Sequence, residues 1–130
     1  MADFANALKI LASGMKAQGQ RIRHVSENIS NADTPGYRRK TVAFHEMVRL
    51  GDRTGEVETG PVRLDRSELR SIYDPAHPMA DADGFYAGSN VNLVLEIADA
   101  REAQRSYEAN IKMFEQTRRM TSRLYDILNR

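Results

Sequence analysis

Ser26-Glu27-Asn28-Ile29-Ser30-Asn31-Ala32-Asp33-Thr34-Pro35-Gly36-Tyr37-Arg38-Arg39-Lys40 is where one kind of chain ends and another begins. Upstream of it, Phe4, Leu8, Leu11, Met15, Gln18, Ile22, Val25, Ile29 and Ala32 follow spacings of four and three without a slip. That heptad stripe, apolar except at Gln18, predicts a helix with one apolar face. Asp3 stands where its carboxylate can cap the free N–H groups of the first turn. Gly14 and Gly19 each cost about 1 kcal/mol against alanine, which the helix tolerates. At its usual rise per residue the helix would be about 40 Å long. Such a stripe needs a partner, either a second helix of the same chain or neighbouring subunits. A helix of this length is long for a 130-residue globule, which points part of the stripe toward other subunits.

The helix should stop for local reasons. Asn31 suits the left-handed turn that closes a helix. Thr34 precedes a proline and is pushed out of the helical region. Pro35-Gly36 fits the centre of a type II turn, with Gly36 supplying positive φ, and Tyr37 anchors the emerging chain. The basic triplet Arg38-Arg39-Lys40 could contact phosphate. A solvated run, or pairing with acidic residues elsewhere, accounts for it better, because a nucleic-acid site needs a wider basic patch with aromatic partners.

The run Ser13-Gly14, followed by Asn28-Ile29-Ser30-Asn31-Ala32-Asp33-Thr34-Pro35-Gly36-Tyr37, resembles the N-terminal signature of bacterial flagellar rod and hook proteins. The resemblance implies that such a helix packs in the tubular core of the flagellar axis, with Asn28, Asn31, Thr34, Pro35, Gly36 and Tyr37 forming the motif at its hinge.

Beyond the junction the helical period is lost. Val42, Phe44, Met47, Val48 and Leu50 suggest a short strand or an irregular turn, and Gly51, Gly55 and Gly60 punctuate the next stretch. Pro61-Val62-Arg63-Leu64-Asp65-Arg66 alternates like a half-exposed strand. A small hairpin or two short strands over a thin core are expected. Asp81, Asp83 and Gly84 loosely suggest an EF-hand loop, but Met79 and Asn90 fall where its end ligands belong, so no calcium site is expected. His24, His45 and His77 share no spacing and have no cysteine partners, so zinc is not expected either. The middle loop sharpens the resemblance. Ile72-Tyr73-Asp74-Pro75-Ala76-His77-Pro78 with Ala82-Asp83-Gly84-Phe85 is similar to the loop of basal-body rod proteins of the FlgC type, from which Met79 is a minor departure.

From Asn92 to the end there is no proline or glycine. Asn92 is a natural N-cap, and Glu96 puts negative charge where the helix dipole favours it. Leu93, Ile97, Ala100, Gln104, Tyr107, Ile111 and Phe114 form one row. Met113, Thr117, Met120, Leu124 and Ile127 form a later, displaced one. A curving contact with one partner and contacts with two neighbours both explain two rows. This helix would be about 55 Å long. Asn90-Val91-Asn92-Leu93-Val94 and Gln104-Arg105-Ser106-Tyr107-Glu108-Ala109-Asn110-Ile111 resemble the C-terminal signature of the same FlgC-type family.

Composition is permissive rather than directive. Apolar residues are 41%, charged residues 28% and the net charge +1, balanced along the chain, so nucleic acid is not expected as a partner. The absence of cysteine excludes disulfides, thiol catalysis and thiolate metal sites. No apolar run reaches the roughly 18 residues of a membrane span, and no cleaved secretory signal is expected. There is no P-loop, nucleophile elbow or dinucleotide fingerprint, and no cofactor or enzymatic activity is expected. Glu102 with Arg105, and Glu115 with Arg118 and Arg119, are expected as weak surface pairs.

The chain is therefore expected to be mainly α, of the α+β class. Residues 1–33 and 91–130 form a helical domain, and residues 34–90 form a small β-rich middle. The expected packing residues are Phe4, Leu8, Leu11, Met15, Ile22, Val25 and Ile29 on the first helix. On the last they are Leu93, Ile97, Tyr107, Ile111, Phe114, Met120, Leu124 and Ile127. The resemblance implies a structural subunit of the proximal rod of the flagellar basal body, transmitting torque. It implies partners among other proximal- and distal-rod proteins, the basal-body adaptor and its own copies, and delivery by the flagellar type III export apparatus. A cytoplasmic helical binding module or export chaperone is the alternative, against which the Pro-Gly junction and β-rich middle count.

Overall fold

The computed structural model describes residues 2–130 of the chain. Helix α1 spans Ala2–Ser30, about 43 Å at the usual helical rise. Asp3 lies inside its first turn, not ahead of it as a cap, where negative charge still suits the helix dipole. Six short strands come next: β1 (Lys40–Thr41), β2 (Phe44–Arg49), β3 (Asp52–Thr59), β4 (Arg63–Leu64), β5 (Ser71–Tyr73) and β6 (Phe85–Ala87). Helix α2, Leu93–Leu128, closes the order. The expected mainly helical α+β chain, with helices at both ends, is what forms.

The middle is richer in strand than its sequence suggests. It holds three two-stranded antiparallel ladders, β1–β4, β2–β3 and β5–β6. Strand β3 is hidden in the sequence by Gly51, Gly55 and Gly60, of which Gly51 and Gly60 flank it and Gly55 lies inside it without ending it. At Gly55 a Cβ would approach Ile10 Cδ1 to 3.0 Å, so the bare backbone lets the strand lie against α1. Val57 N donates to Ser13 Oγ at 2.9 Å, and Thr59 Oγ1 donates to Gln20 Oε1, fastening β3 along the helix.

The β2–β3 turn breaks a local rule. Leu50 and Gly51 both have positive φ, 51° and 83°, the signature of a type I′ hairpin turn, in which Asn-Gly is the favoured pair. Leu50 holds a left-handed backbone at some cost while its side chain stands fully in solvent. Leu50→Asn should therefore raise the unfolding free energy by about 0.5–1 kcal/mol, read from the urea midpoint.

The two helices pack antiparallel. Arg21 meets Asp99 at 2.7 Å, Asn28 meets Glu96, and Gly14 lies beside Asn110. The core is small and sits toward one end of this pair. Among the described residues its buried apolar members are Ala17, Val25, Ala32, Val91 and Ala103. None is larger than valine, and the largest fully buried side chain is that of Glu96. Such a core is centred on a carboxylate, and the chemistry around that carboxylate decides how the fold is held.

Candidate functional site

The junction after α1 is a three-way joint. Asn31 does not take the left-handed conformation; Leu50 is the residue other than glycine with positive φ among those described. Instead Asn31 Nδ2 donates to Glu27 O at 2.9 Å, a second bond to a carbonyl that already accepts from Asn31 N at 3.1 Å. The Thr34-Pro35-Gly36-Tyr37 turn is present. Tyr37 N donates to Thr34 O at 3.2 Å, and Gly36 has φ of 74°. Gly36 N then reaches Ala87 O at 3.1 Å, and Asn90 N reaches Tyr37 O at 3.3 Å, tying the turn to the segment that enters α2.

Asn28 is the centre of the joint and is fully buried. Its Oδ1 accepts from Tyr37 Oη at 2.8 Å and from Lys40 N at 2.8 Å. Its Nδ2 donates to Lys40 O at 3.0 Å and to Glu96 Oε2 at 3.4 Å. All four hydrogen-bonding positions of the amide are used, two of them on one residue's backbone, as a neighbouring strand would use them. Glu96, 1% exposed, also accepts from Arg39 Nε. Arg39 extends to Asp65 at 3.8 Å and Asp99 at 3.7 Å, and Asp99 is shared with Arg21.

The basic triplet is therefore a clasp inside the subunit. It is not a solvated run: Arg39 and Lys40 pair with acidic residues elsewhere in the chain. Arg39 holds α2, Lys40 Nζ pairs with Glu27 of α1 at 2.7 Å, and Arg38 Nη1 donates to Ser67 O at 2.9 Å. Glu96 does not act as a solvated charge on the helix dipole. Asn92 does cap α2, accepting from Val94 N at 3.1 Å and Leu95 N at 3.4 Å. Glu102 reaches Arg21 of α1 at 3.5 Å.

These contacts set the proton affinities. The Lys40 hydrogen bond holds Glu27 below its usual 4.5, and the same bond raises Lys40. Hydrogen bonds from Ser67 hold Asp65 below its usual 3.8, with help from Arg39 and Arg38. Burial raises Tyr37. Carboxyls depressed on folding contribute stability above their unfolded values and lose it as pH falls through the folded ones. The urea midpoint should accordingly drop as pH falls from about 5 to about 3, and drop less in Glu27→Gln. An equal drop in both proteins would remove Glu27 from the account.

The expected packing rows divide unequally. On α1, Phe4, Leu8, Leu11, Met15, Ile22 and Ile29 are half-buried and Val25 is buried. On α2, Tyr107, Ile111, Phe114 and Leu124 are half-buried, but Leu93, Ile97, Met120 and Ile127 are exposed. The row that α2 turns to α1 is Glu96, Ala100, Ala103, Tyr107, Asn110, Phe114, Thr117, Thr121 and Leu124. It runs in unbroken steps of four and three. Apolar periodicity misses it because half of it is polar. Nothing local links Arg39 to Glu96 as a pair; a carboxylate at the head of this row is the one signal the sequence offers. Two apolar sets remain outside. Leu93, Val94 and Ile97 stand near the start of α2, and Met113, Met120 and Ile127 lie roughly half a turn around the helix toward its end.

Long helices from both chain ends, paired antiparallel, clasped at one end to a β-rich middle and apolar on their outer faces, define a structural helical subunit. The family described as flagella basal body rod protein matches residues 8–38. The family described as flagellar basal body rod FlgEFG protein C-terminal matches residues 82–127. The chain is 42% identical to the flagellar basal-body rod protein FlgC of Agrobacterium fabrum, over 98% of this chain and 97% of that one. It is 34% identical to FlgC of Aquifex aeolicus, over 97% and 98%, and 32% identical to FlgC of Salmonella typhimurium, over 88% and 90%. The chain belongs to the FlgC family of flagellar basal-body rod proteins and is a structural component of the rod.

Proposed function

We propose that this subunit sits in the proximal rod and passes torque toward the distal rod and hook through side-by-side helix contacts. The observation that carries this is the pair of outward apolar sets on α2. Leu93 and Ile97, 43% and 44% exposed, lie on one flank, and Met113, Met120 and Ile127, 52%, 47% and 64% exposed, on another. Apolar surface repeated along one long helix, with α1 already occupying a third face, favours two different neighbours over one curving contact. The segments 1–33 and 91–130 act as the packing domain. The middle, 34–90, stands against it through β3 and the clasp, and Pro35-Gly36 sets the angle of exit.

The neighbours in this reading are other proximal- and distal-rod proteins, the basal-body adaptor and further copies of the chain. Delivery is by the flagellar type III export apparatus without signal cleavage, into the rod where it crosses the periplasm. The subunit is not inserted in the membrane; no described helix is long and apolar enough to cross one. We read it as a non-enzyme that binds no nucleic acid, its junction carboxylates being engaged in ion pairs that hold the fold together. Photo-crosslinkers placed at Ile97 and at Met120 in intact basal bodies test the two-neighbour reading. The expected result is adducts to different subunits from the two positions. Adducts from neither position, or to one subunit from both, would overturn it.

A further inference from the structure

The β5–β6 hairpin presents an apolar patch that its own subunit leaves uncovered. Tyr73 and Phe85 stand side by side, ring centroids 5.1 Å apart, with 65% and 40% of their surfaces exposed. Met79, in the loop that joins the strands, is 64% exposed. That loop is held in shape from within. Asp74 N donates to Gly84 O at 2.9 Å, and Asp81 Oδ1 accepts from Asp83 N at 2.9 Å and from Phe85 N at 3.0 Å. The His77 ring stacks on Tyr86 at 3.8 Å. Rings and loop are thus set before a partner arrives, which lowers the cost of binding one. Residues 71–85 carry Asp74, Asp81 and Asp83 and no lysine or arginine, a net charge of −3 with His77 neutral. An apolar centre in an acidic surround fits a partner whose apolar side chains stand among cations.

The same chain carries that complement elsewhere. On the late part of α2, Met113 and Met120 are 52% and 47% exposed. Lys112, Arg119 and Arg123 line a shallow surface groove together with Met120. Residues 112–123 hold Lys112, Arg118, Arg119 and Arg123 against Glu115, a net charge of +3. One subunit cannot bring the two surfaces together. Gly88 N donates to Arg70 O at 2.7 Å and Arg70 Nη2 to Val91 O at 3.1 Å, which ties the hairpin to the start of α2. Met120 lies about 40 Å further along that helix at the usual rise.

We propose that the Tyr73–Met79–Phe85 patch of one copy seats on the Met113–Met120 face of α2 in a second copy. Methionine thioethers pack well against aromatic rings. In the docked pair the cations of α2 meet the carboxylates of the loop, and arginine also suits the ring faces. The contact joins two different surfaces, so it propagates along a helical array and does not close into a pair. This inference rests on the two-neighbour reading above and names what covers one of the two outward sets.

A photo-crosslinker at Tyr73 in intact basal bodies tests it. The expected adduct has twice the mass of the chain and joins residue 73 to a peptide from 112–123, a link that the distance within one subunit makes intermolecular. Adducts only to another protein, only to a different part of a second copy, or none at all, overturn the docking. Its failure is distinct from failure of the two-neighbour reading. Adducts from Ile97 and Met120 to different subunits, with none from Tyr73 to 112–123, leave that reading intact and remove this one. Absence of any adduct from Met120 removes both. Charge reversal is the second measurement. Asp83 and Arg119 are both exposed, and Asp83→Lys and Arg119→Glu should each reduce swimming, because like charges then face one another. The two substitutions together should restore it. A double variant that swims no better than either single one overturns the pairing of these surfaces.

Discussion

Arg39→Ala is expected to lower the unfolding free energy by about 3–5 kcal/mol, the usual result of removing one partner of a buried ion pair. The asymmetry of the pair makes Arg39 the damaging side to remove. Arg39 is partly open to water, with 27% of its side chain exposed, whereas the Glu96 side chain is 1% exposed. Without Arg39 the carboxylate is left with the longer 3.4 Å hydrogen bond from Asn28 and no cation on it. A buried charge so left can regain water only by pulling the start of α2 open to solvent. A folded chain of this size has about 5–15 kcal/mol in total, so the variant should unfold at much lower urea and show early loss of α2 protection in hydrogen exchange. Arg39→Lys should recover part of the loss: the charge returns, but a single ammonium cannot span Glu96, Asp65 and Asp99 as the guanidinium does. A urea midpoint for Arg39→Ala within error of the parent would mean that Glu96 is satisfied in some other way. The contrast with the double substitution Arg39→Met with Glu96→Leu is part of the expectation. Removing both charges relieves what removing one creates.

Ile97→Asp and Met120→Asp should each abolish or sharply reduce motility while leaving the isolated subunit folded. Both residues stand outside the α1–α2 seam, with 44% and 47% of their surface open to solvent. Surface substitutions of this kind change stability by no more than about 0.5 kcal/mol. In an apolar contact between subunits the same substitution buries an unpaired carboxylate, which costs several kcal/mol per copy. Circular dichroism and urea unfolding of purified protein, set beside swimming and the recovery of rods from cells, separate the two effects. Unchanged swimming in both variants would show that neither set lines a packed interface. Leu11 and Ile111 are poorer probes because both are half-buried within the subunit, so a charge there would damage fold and assembly together.

Local rules are strong enough to be read directly in several places. The stripe from Phe4 to Ile29 predicts α1, Pro35-Gly36 its turn, and Asn92 the cap of α2, because each depends on residues a few positions apart. The strand β3 is less legible. Its Gly55 looks like loop punctuation until it is seen to clear room for Ile10 of α1. The seam row of α2 differs from the expected one for a related reason. Periodicity finds apolar residues, and this helix keeps some of its most apolar ones, Leu93, Ile97 and Met120, on its outside.

The sequence by itself determined two long helices at the chain ends, the turn that stops the first, and a resemblance borne out by relatives aligned over nearly the whole chain. Only the tertiary structure decided what holds these parts together. Asn28 and Glu96 are 68 positions apart, and Arg39 and Glu96 are 57 apart. Until the helices close, Glu96 is one carboxylate among many and the basic triplet is a solvated run. Burial makes the difference: charges removed from water must find partners, and here the available partners are one another.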